Sequence, residues 1–240
     1  MSDPLHQFVI SPIWRINVGG VDLSFTNSAL SVLAAVVAIG VFLLLGLKDK
    51  KLVPDRWQAL VEMLHDLVAQ LVRSNVGDSG MRYFPFVFSV FIFVLFGNLL
   101  GMIPYMFTFT SHIIVTFTLA MAVFLFVTVL GIVLHGRRFF SLFAPKGLPK
   151  FLLPLVAPVE MISYLSRPVS LAVRLFANMM AGHTMMKVFA GFSVMLGLGG
   201  VAPIAVNVIL TGFEIVIALL QAYVFTILTC VYLNDAVHLH

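Results

Sequence analysis

Apolar positions in this chain run in long uninterrupted stretches rather than in alternation. Residues 21–47 carry one charged side chain, Asp22, and residues 83–136, 188–213 and 215–234 carry no Asp, Glu, Lys or Arg. A helix crossing the bilayer core needs roughly 20 apolar residues, so each stretch holds one or two spans. Between Trp57 and Val72 the pattern changes. Trp57, Leu60, Val61, Leu64, Leu67, Val68, Leu71 and Val72 recur at helical spacing, while Arg56, Glu62, Asp66 and Arg73 cover other faces. With Pro54 at its start, this segment reads as an amphipathic helix lying in the interface plane or against a partner.

Turn formers divide the longest run. Gly101, Pro104, Thr108, Thr110, Ser111 and His112 interrupt residues 83–136, and Gly197, Gly199, Gly200 and Pro203 separate the last two apolar stretches. The expected fold class is therefore an all-α integral membrane protein. Five transmembrane helices fall at about 27–47, 83–107, 113–136, 158–196 and 204–233, with one interfacial helix at about 55–74. An N-terminal tail over 1–25, with Pro4, Pro12 and the Gly19–Gly20 pair, reads as irregular or hairpin-like, and 26–240 forms a single membrane domain. That tail lacks a basic segment followed by an apolar one, so the first apolar run is expected to stay in the bilayer.

Composition sharpens this picture. Apolar side chains make up 61% of the chain and charged ones 10%, with a mean hydropathy of +1.09, whereas soluble domains carry about 25% charged residues. Soluble, disordered, nucleic-acid-binding and disulfide-stapled classes are excluded, and membrane lipid is an expected neighbour. The lone Cys230 sits in an apolar run as a small hydrophobe.

The net charge of +4 matters less than its placement. Lys48, Lys50, Lys51, Arg56, Arg73 and Arg82 follow the first span, and Arg137, Arg138, Lys146 and Lys150 follow the third, whereas the N-terminal tail holds only Arg15. By the positive-inside rule the N-terminus lies outside (periplasmic) and both basic loops, with the C-terminus, are cytoplasmic.

The polar groups left inside the spans carry the chemistry, because an ionisable side chain at the bilayer centre costs on the order of 2.5–3.5 kcal/mol. Arg174 stands out, with no acid among its eight neighbours on either side. Glu160, Ser163, Arg167, Ser170, Arg174 and Asn178 fall within about 60° of one another on a helix, one polar stripe along an apolar rod. Arg167, two turns nearer the cytoplasmic surface, is placed to snorkel. Arginine stays protonated, so Arg174 cannot relay protons. It either pairs with Glu214, the acid in mid-span, or acts as a fixed charge that attracts and then releases a passing carboxylate. A second stripe joins Asn207, Thr211, Glu214, Ala218 and Gln221. His183 lies nine residues after Arg174, about 180° round the helix. His183 and Glu214 on adjacent antiparallel spans suit a water-filled proton entry path, or equally a hydrogen-bonded pair pinning two helices.

The run Pro168-Val-Ser-Leu-Ala-Val-Arg174-Leu-Phe-Ala-Asn178-Met-Met-Ala-Gly182-His183, with Phe213-Glu214, Leu220-Gln221-Ala-Tyr-Val-Phe and Phe96-Gly-Asn98-Leu-Leu-Gly-Met-Ile-Pro104, resembles subunit a of the F-type ATP synthase membrane (Fo) sector. The resemblance covers most of the chain and is loose only before residue 25. It implies a non-catalytic stator subunit of the bacterial inner membrane that offers two offset half-channels to a rotating c-subunit ring. It further implies that spans four and five form a long tilted pair facing that ring, and that peripheral-stalk b subunits and other ATP synthase subunits are partners. By motif position Arg174 separates the half-channels, Asn178 and Gln221 flank it, His183, Glu214 and Asn98 line the outer half-channel, and Glu160 sits at the inner exit. In the enterobacterial form the residue types at 183 and 214 are exchanged, acidic and histidine; the order here is that of mitochondrial relatives, which leaves open which member carries the proton.

No cofactor is implied. The chain has no Gly-x-x-x-x-Gly-Lys-Ser/Thr loop for nucleotide and no His-Glu-x-x-His motif for metal-dependent hydrolysis. A secondary transporter, the alternative reading, would show internal duplication of its spans, and none is evident here.

Overall fold

The computed structural model describes residues 10–15, 17–18, 21–22, 24–48, 53–103, 107–143, 151 and 153–238. Pro4, Gly19, Gly20, Lys50, Lys51, Pro104, Lys146 and Lys150, all used above, lie outside these residues.

The described part of the tail is a pair of short antiparallel ladders. β1 (Pro12–Trp14) pairs with β4 (Phe25–Thr26), and β2 (Asn17–Val18) with β3 (Val21–Asp22), which is the hairpin-like arrangement expected. Thr26 then caps α1 (Asn27–Leu47), its hydroxyl accepting from the Ala29 amide at 3.3 Å. α1 presents apolar side chains on most of its surface and buries only Ala35 and Gly46. A helix of that kind suits lipid rather than a protein interior.

α2 (Arg56–Val76) packs against α1, α3 and, above all, α6. Its buried line is Val61, Val68, Val72 and Val76, flanked by Ala69 and Leu71. Trp57, Leu60 and Leu67 of the same apolar segment are exposed within this chain. Leu60 and Leu67 sit about 100–120° from the valine line, beyond the arc that α6 covers. A short 3-10 segment, Asp78–Tyr83, leads into α3 (Phe84–Gly101), where Pro85 occupies the first turn.

α3 stops at Gly101, six residues before the expected end of the second span at about 107. A 3-10 turn, Phe109–Ser111, closes the connection by bonding Ser111 N–H to Thr108 O and His112 N–H to Phe109 O. α4 (Ile113–His135) ends at Gly136, whose φ of 54° only glycine adopts freely and whose N–H returns to Ile132 O.

The two longest helices form the far half of the molecule. α5 (Leu153–Met195) is 43 residues, about 65 Å, and α6 (Val201–Val237) is 37, about 55 Å. α5 begins five residues before the expected Pro158, which lies inside it with Pro168. Likewise Pro203 does not separate the last helices but sits in the first turn of α6, where no intrahelical N–H is needed. α5 packs chiefly on α6 and α4, and α6 also on α3. A core of Val72, Val94, Val123, Leu175 and Phe225 joins α2 to α6. Among the described residues, four segments, Asn27–Leu47, Asp78–Gly101, Ile113–Phe139 and Val201–Val237, are long and apolar enough to cross a membrane. α5, with Glu160, Arg167, Arg174 and Lys187, is not among them.

Candidate functional site

α5 and α6 run antiparallel and are joined by polar rungs. Arg167 Nη1 meets Asp235 Oδ2 at 2.7 Å, Asn178 Nδ2 donates to Gln221 Oε1 at 2.8 Å, and His183 Nδ1 faces Glu214 Oε1 at 3.7 Å. Thr211 Oγ1 approaches Met186 Sδ at 3.5 Å as a further rung. As the residue number on α5 rises, that on α6 falls almost one for one, so the rungs record the register of a single antiparallel pair. Apolar burial alone would tolerate other registers of two such helices; paired polar groups specify this one.

Arg174 lies between the first two rungs on the exposed side of α5. Among the described residues it makes no ion pair. Glu214, the counter-ion open to it on sequence grounds, faces His183 instead. Glu160, Ser163, Ser170 and Asn178 share the exposed side with Arg174, as the helical spacing predicts. Arg167 turns to Asp235 near the C-terminal end of α6, with its Cζ 5.1 Å from the Tyr164 ring centroid and 5.0 Å from that of Tyr232.

The opposite side of the pair is closed. His183 is 4% exposed, Glu214 3%, Gln221 1% and Asn98 0%. Asn98 on α3 approaches Ala218 O of α6 at 3.5 Å, between Glu214 and Gln221 along that helix. Thr108 donates to Gly101 O at 3.0 Å, so its oxygen accepts from His183 Nε2 at 3.2 Å. That bond fixes the imidazole with a proton on Nε2 and turns Nδ1 toward the Glu214 carboxylate. Glu214 lies against the α5 backbone at Gly182, where a Cβ would meet its Oε1 at 2.6 Å. Asn98 Oδ1, Thr110 Oγ1, both Glu214 oxygens and Gln221 Nε2 are buried without hydrogen bonds among the described residues. His112 stacks on Phe107, ring centroids 4.9 Å apart, and burial pushes its pKa below the ordinary value.

A family model described as ATP synthase A chain matches residues 28–234. The chain belongs to the ATP synthase A chain family. It is 54% identical over 243 residues to ATP synthase subunit a of Parvibaculum lavamentivorans, an alignment that covers 98% of this chain and 94% of that protein. Similarity to the subunit a of Rhodospirillum rubrum is 53% over 241 residues, spanning both chains completely, and to that of a Chelativorans species 55% over 244 residues, with 99% and 98% covered. The resemblance drawn from the Pro168–His183 run is thereby confirmed. As a member of this family the chain is a membrane-embedded subunit of the proton-translocating Fo sector of an ATP synthase.

Within this ATP synthase A chain fold, two groups of residues named from the sequence come together: Asn178 with Gln221, and His183 with Glu214, with Asn98 packed on the α6 segment between Glu214 and Gln221. Glu160 stands apart, fourteen residues and about 21 Å along α5 from Arg174. Sequence reasoning passed over Thr108, Gly182 and Asp235. Gly182 falls beside His183 in the motif, a visible cue; Thr108 reads from the sequence only as a turn former, and Asp235 carries no local signal, because their partners lie 75 and 68 residues away.

Proposed function

We propose that this chain is the non-catalytic stator that passes protons to and from the carboxylates of a c-subunit ring through two offset half-channels, coupling proton flow to rotation and ATP synthesis elsewhere in the complex. The observation that carries this reading is Arg174. Its guanidinium stays on the exposed side of α5 with no ion pair among the described residues, while the titratable pair His183–Glu214 is closed away on the other side. A fixed positive charge attracts an approaching ring carboxylate, holds it ionised and blocks a continuous proton path past it.

In this reading Asn178 and Gln221 position the helix turn beside Arg174, and His183, Glu214 and Asn98 line the outer half-channel. Buried polar atoms without partners are costly in hydrocarbon and suit a hydrated path, which favours that assignment. Glu160 marks the inner exit. α5 is then the fourth of five spans, and α5 and α6, both longer than the roughly 30 Å core, tilt as a pair against the ring. The chain is one membrane domain over 26–240 with a tail over 1–25, in a bacterial inner membrane, N-terminus periplasmic and C-terminus cytoplasmic. Peripheral-stalk b subunits complete its contacts. Each proton crossing 100 mV releases about 2.3 kcal/mol, which rotation carries to the nucleotide sites.

The test is Arg174→Ala and Arg174→Lys in membrane vesicles carrying the assembled synthase. Both lose ATP-driven proton pumping, and Arg174→Ala leaks protons passively. An ammonium lacks the planar fork and sheds its proton when desolvated, so Lys does not substitute. Coupled pumping at the normal rate in either variant overturns the proposal.

A further inference from the structure

The polar stripe of α5 carries two arginines, Arg167 and Arg174, seven residues apart. Helical rise puts them about 10 Å from one another on nearly the same face. They are treated very differently. Arg174 has no ion pair among the described residues, whereas Arg167 meets Asp235 at 2.7 Å and lies between the rings of Tyr164 and Tyr232. Tyr164 is itself fixed, its hydroxyl 2.7 Å from Thr128 Oγ1 on α4. α5 and α6 thus meet at the Arg167 guanidinium, α4 reaches it only through Tyr164, and α6 supplies the carboxylate that neutralises it.

We infer that Asp235 is a positioning residue that withdraws Arg167 from the ring-facing stripe, so that Arg174 is left as its sole free guanidinium. This rests on the half-channel reading above. A second unpaired guanidinium between Arg174 and Glu160 would stand beside the inner exit. It would repel a proton leaving toward Glu160 and compete with Arg174 for the ring carboxylate. Two unit charges about 10 Å apart, at an effective dielectric near 20, interact strongly enough to change a rate by roughly tenfold. The Tyr164 and Tyr232 rings, 5.1 and 5.0 Å from the guanidinium carbon, add attraction of their own to that of Asp235.

A simple clamp between α5 and α6 makes a different forecast from charge withdrawal, and the two separate in a three-variant comparison. The assembled synthase in membrane vesicles is assayed for ATP-driven proton pumping, with the amount of incorporated subunit measured in each case. Asp235→Asn, which frees Arg167, slows pumping about tenfold. Arg167→Gln, which breaks the same contact but removes the charge, stays within about twofold of normal. The double variant Arg167→Gln with Asp235→Asn recovers to within about twofold. Should Asp235→Asn alone fail to assemble, recovery of assembly and pumping in the double variant supports the inference. Normal pumping in Asp235→Asn, or equal loss in all three variants, overturns it. Arg174→Ala, run alongside, separates the two levels of argument: if that variant loses pumping while Asp235→Asn is normal, the half-channel reading stands and only the role of Asp235 falls.

Discussion

Asn178 of α5 donates a 2.8 Å hydrogen bond to Gln221 Oε1 of α6, one helical turn beyond Arg174. Gln221 is buried and Asn178 exposed, so the bond ties the open side of α5 to the closed interior of the pair. Gln221→Leu removes the acceptor at similar volume. A hydrogen bond is worth about 0.5–1.5 kcal/mol net, so proton pumping is expected to fall several-fold with assembly intact. Adding Asn178→Ala lowers it little further, since both changes break one contact. Losses that multiply would show that the two amides act separately.

His183 and Glu214 are expected to behave as a unit. Glu214→Gln removes the titratable carboxylate and slows ATP-driven pumping at least tenfold, while His183→Ala slows it less. Exchange of both, His183→Glu with Glu214→His, recovers more activity than the two single exchanges predict. Pumping rates around that double-mutant cycle, corrected for assembly, read the interaction directly; no coupling between the sites would make them independent.

Gly182→Ala tests the same site from the backbone side. The added Cβ would meet Glu214 Oε1 at 2.6 Å and its Cδ at 3.0 Å, so the carboxylate must move away from α5. Pumping is expected to drop severalfold or more. Gly40→Ala, with nothing within 4 Å of the new Cβ, is the control and gains up to about 1 kcal/mol of helix propensity. Equal activity in the two variants would place no constraint on Glu214 at this backbone contact.

The docking of α2 predicts a graded response to charge. Leu71 is buried and Leu64 packs on the core, so Leu71→Asp is expected to cost several kcal/mol and sharply reduce subunit incorporation, with Leu64→Asp next. Gln58 is bonded to Glu62 at 2.8 Å on the solvated side, and Gln58→Glu costs a few tenths through like-charge repulsion. Quantitative blotting of purified membranes reads the order Leu71, Leu64, Gln58; equal incorporation would mean that the α2 contacts contribute little to assembly.

The sequence alone determined the membrane class, the first helix to its observed limits of Asn27 and Leu47, and the two faces of α5, because burial in lipid and helical geometry act on neighbours in the chain. It likewise put His183 and Arg174 on opposite sides, since nine residues are half a turn out of phase. It set the ends of α3 and α5 less well: a proline is tolerated inside a packed long helix, and α3 stops at Gly101, the first of the turn formers in its run, rather than near 107. Tertiary structure decided which polar groups meet. The two arginines of α5 shared one stripe, Arg174 deeper and Arg167 nearer the surface, and only the placement of α6 gave Arg167 the carboxylate of Asp235. The same packing gave His183 a hydroxyl from Thr108 and laid Glu214 on Gly182. A buried polar side chain takes whichever partner the fold brings within hydrogen-bond reach, and those partners lie tens of residues away, beyond any local periodicity.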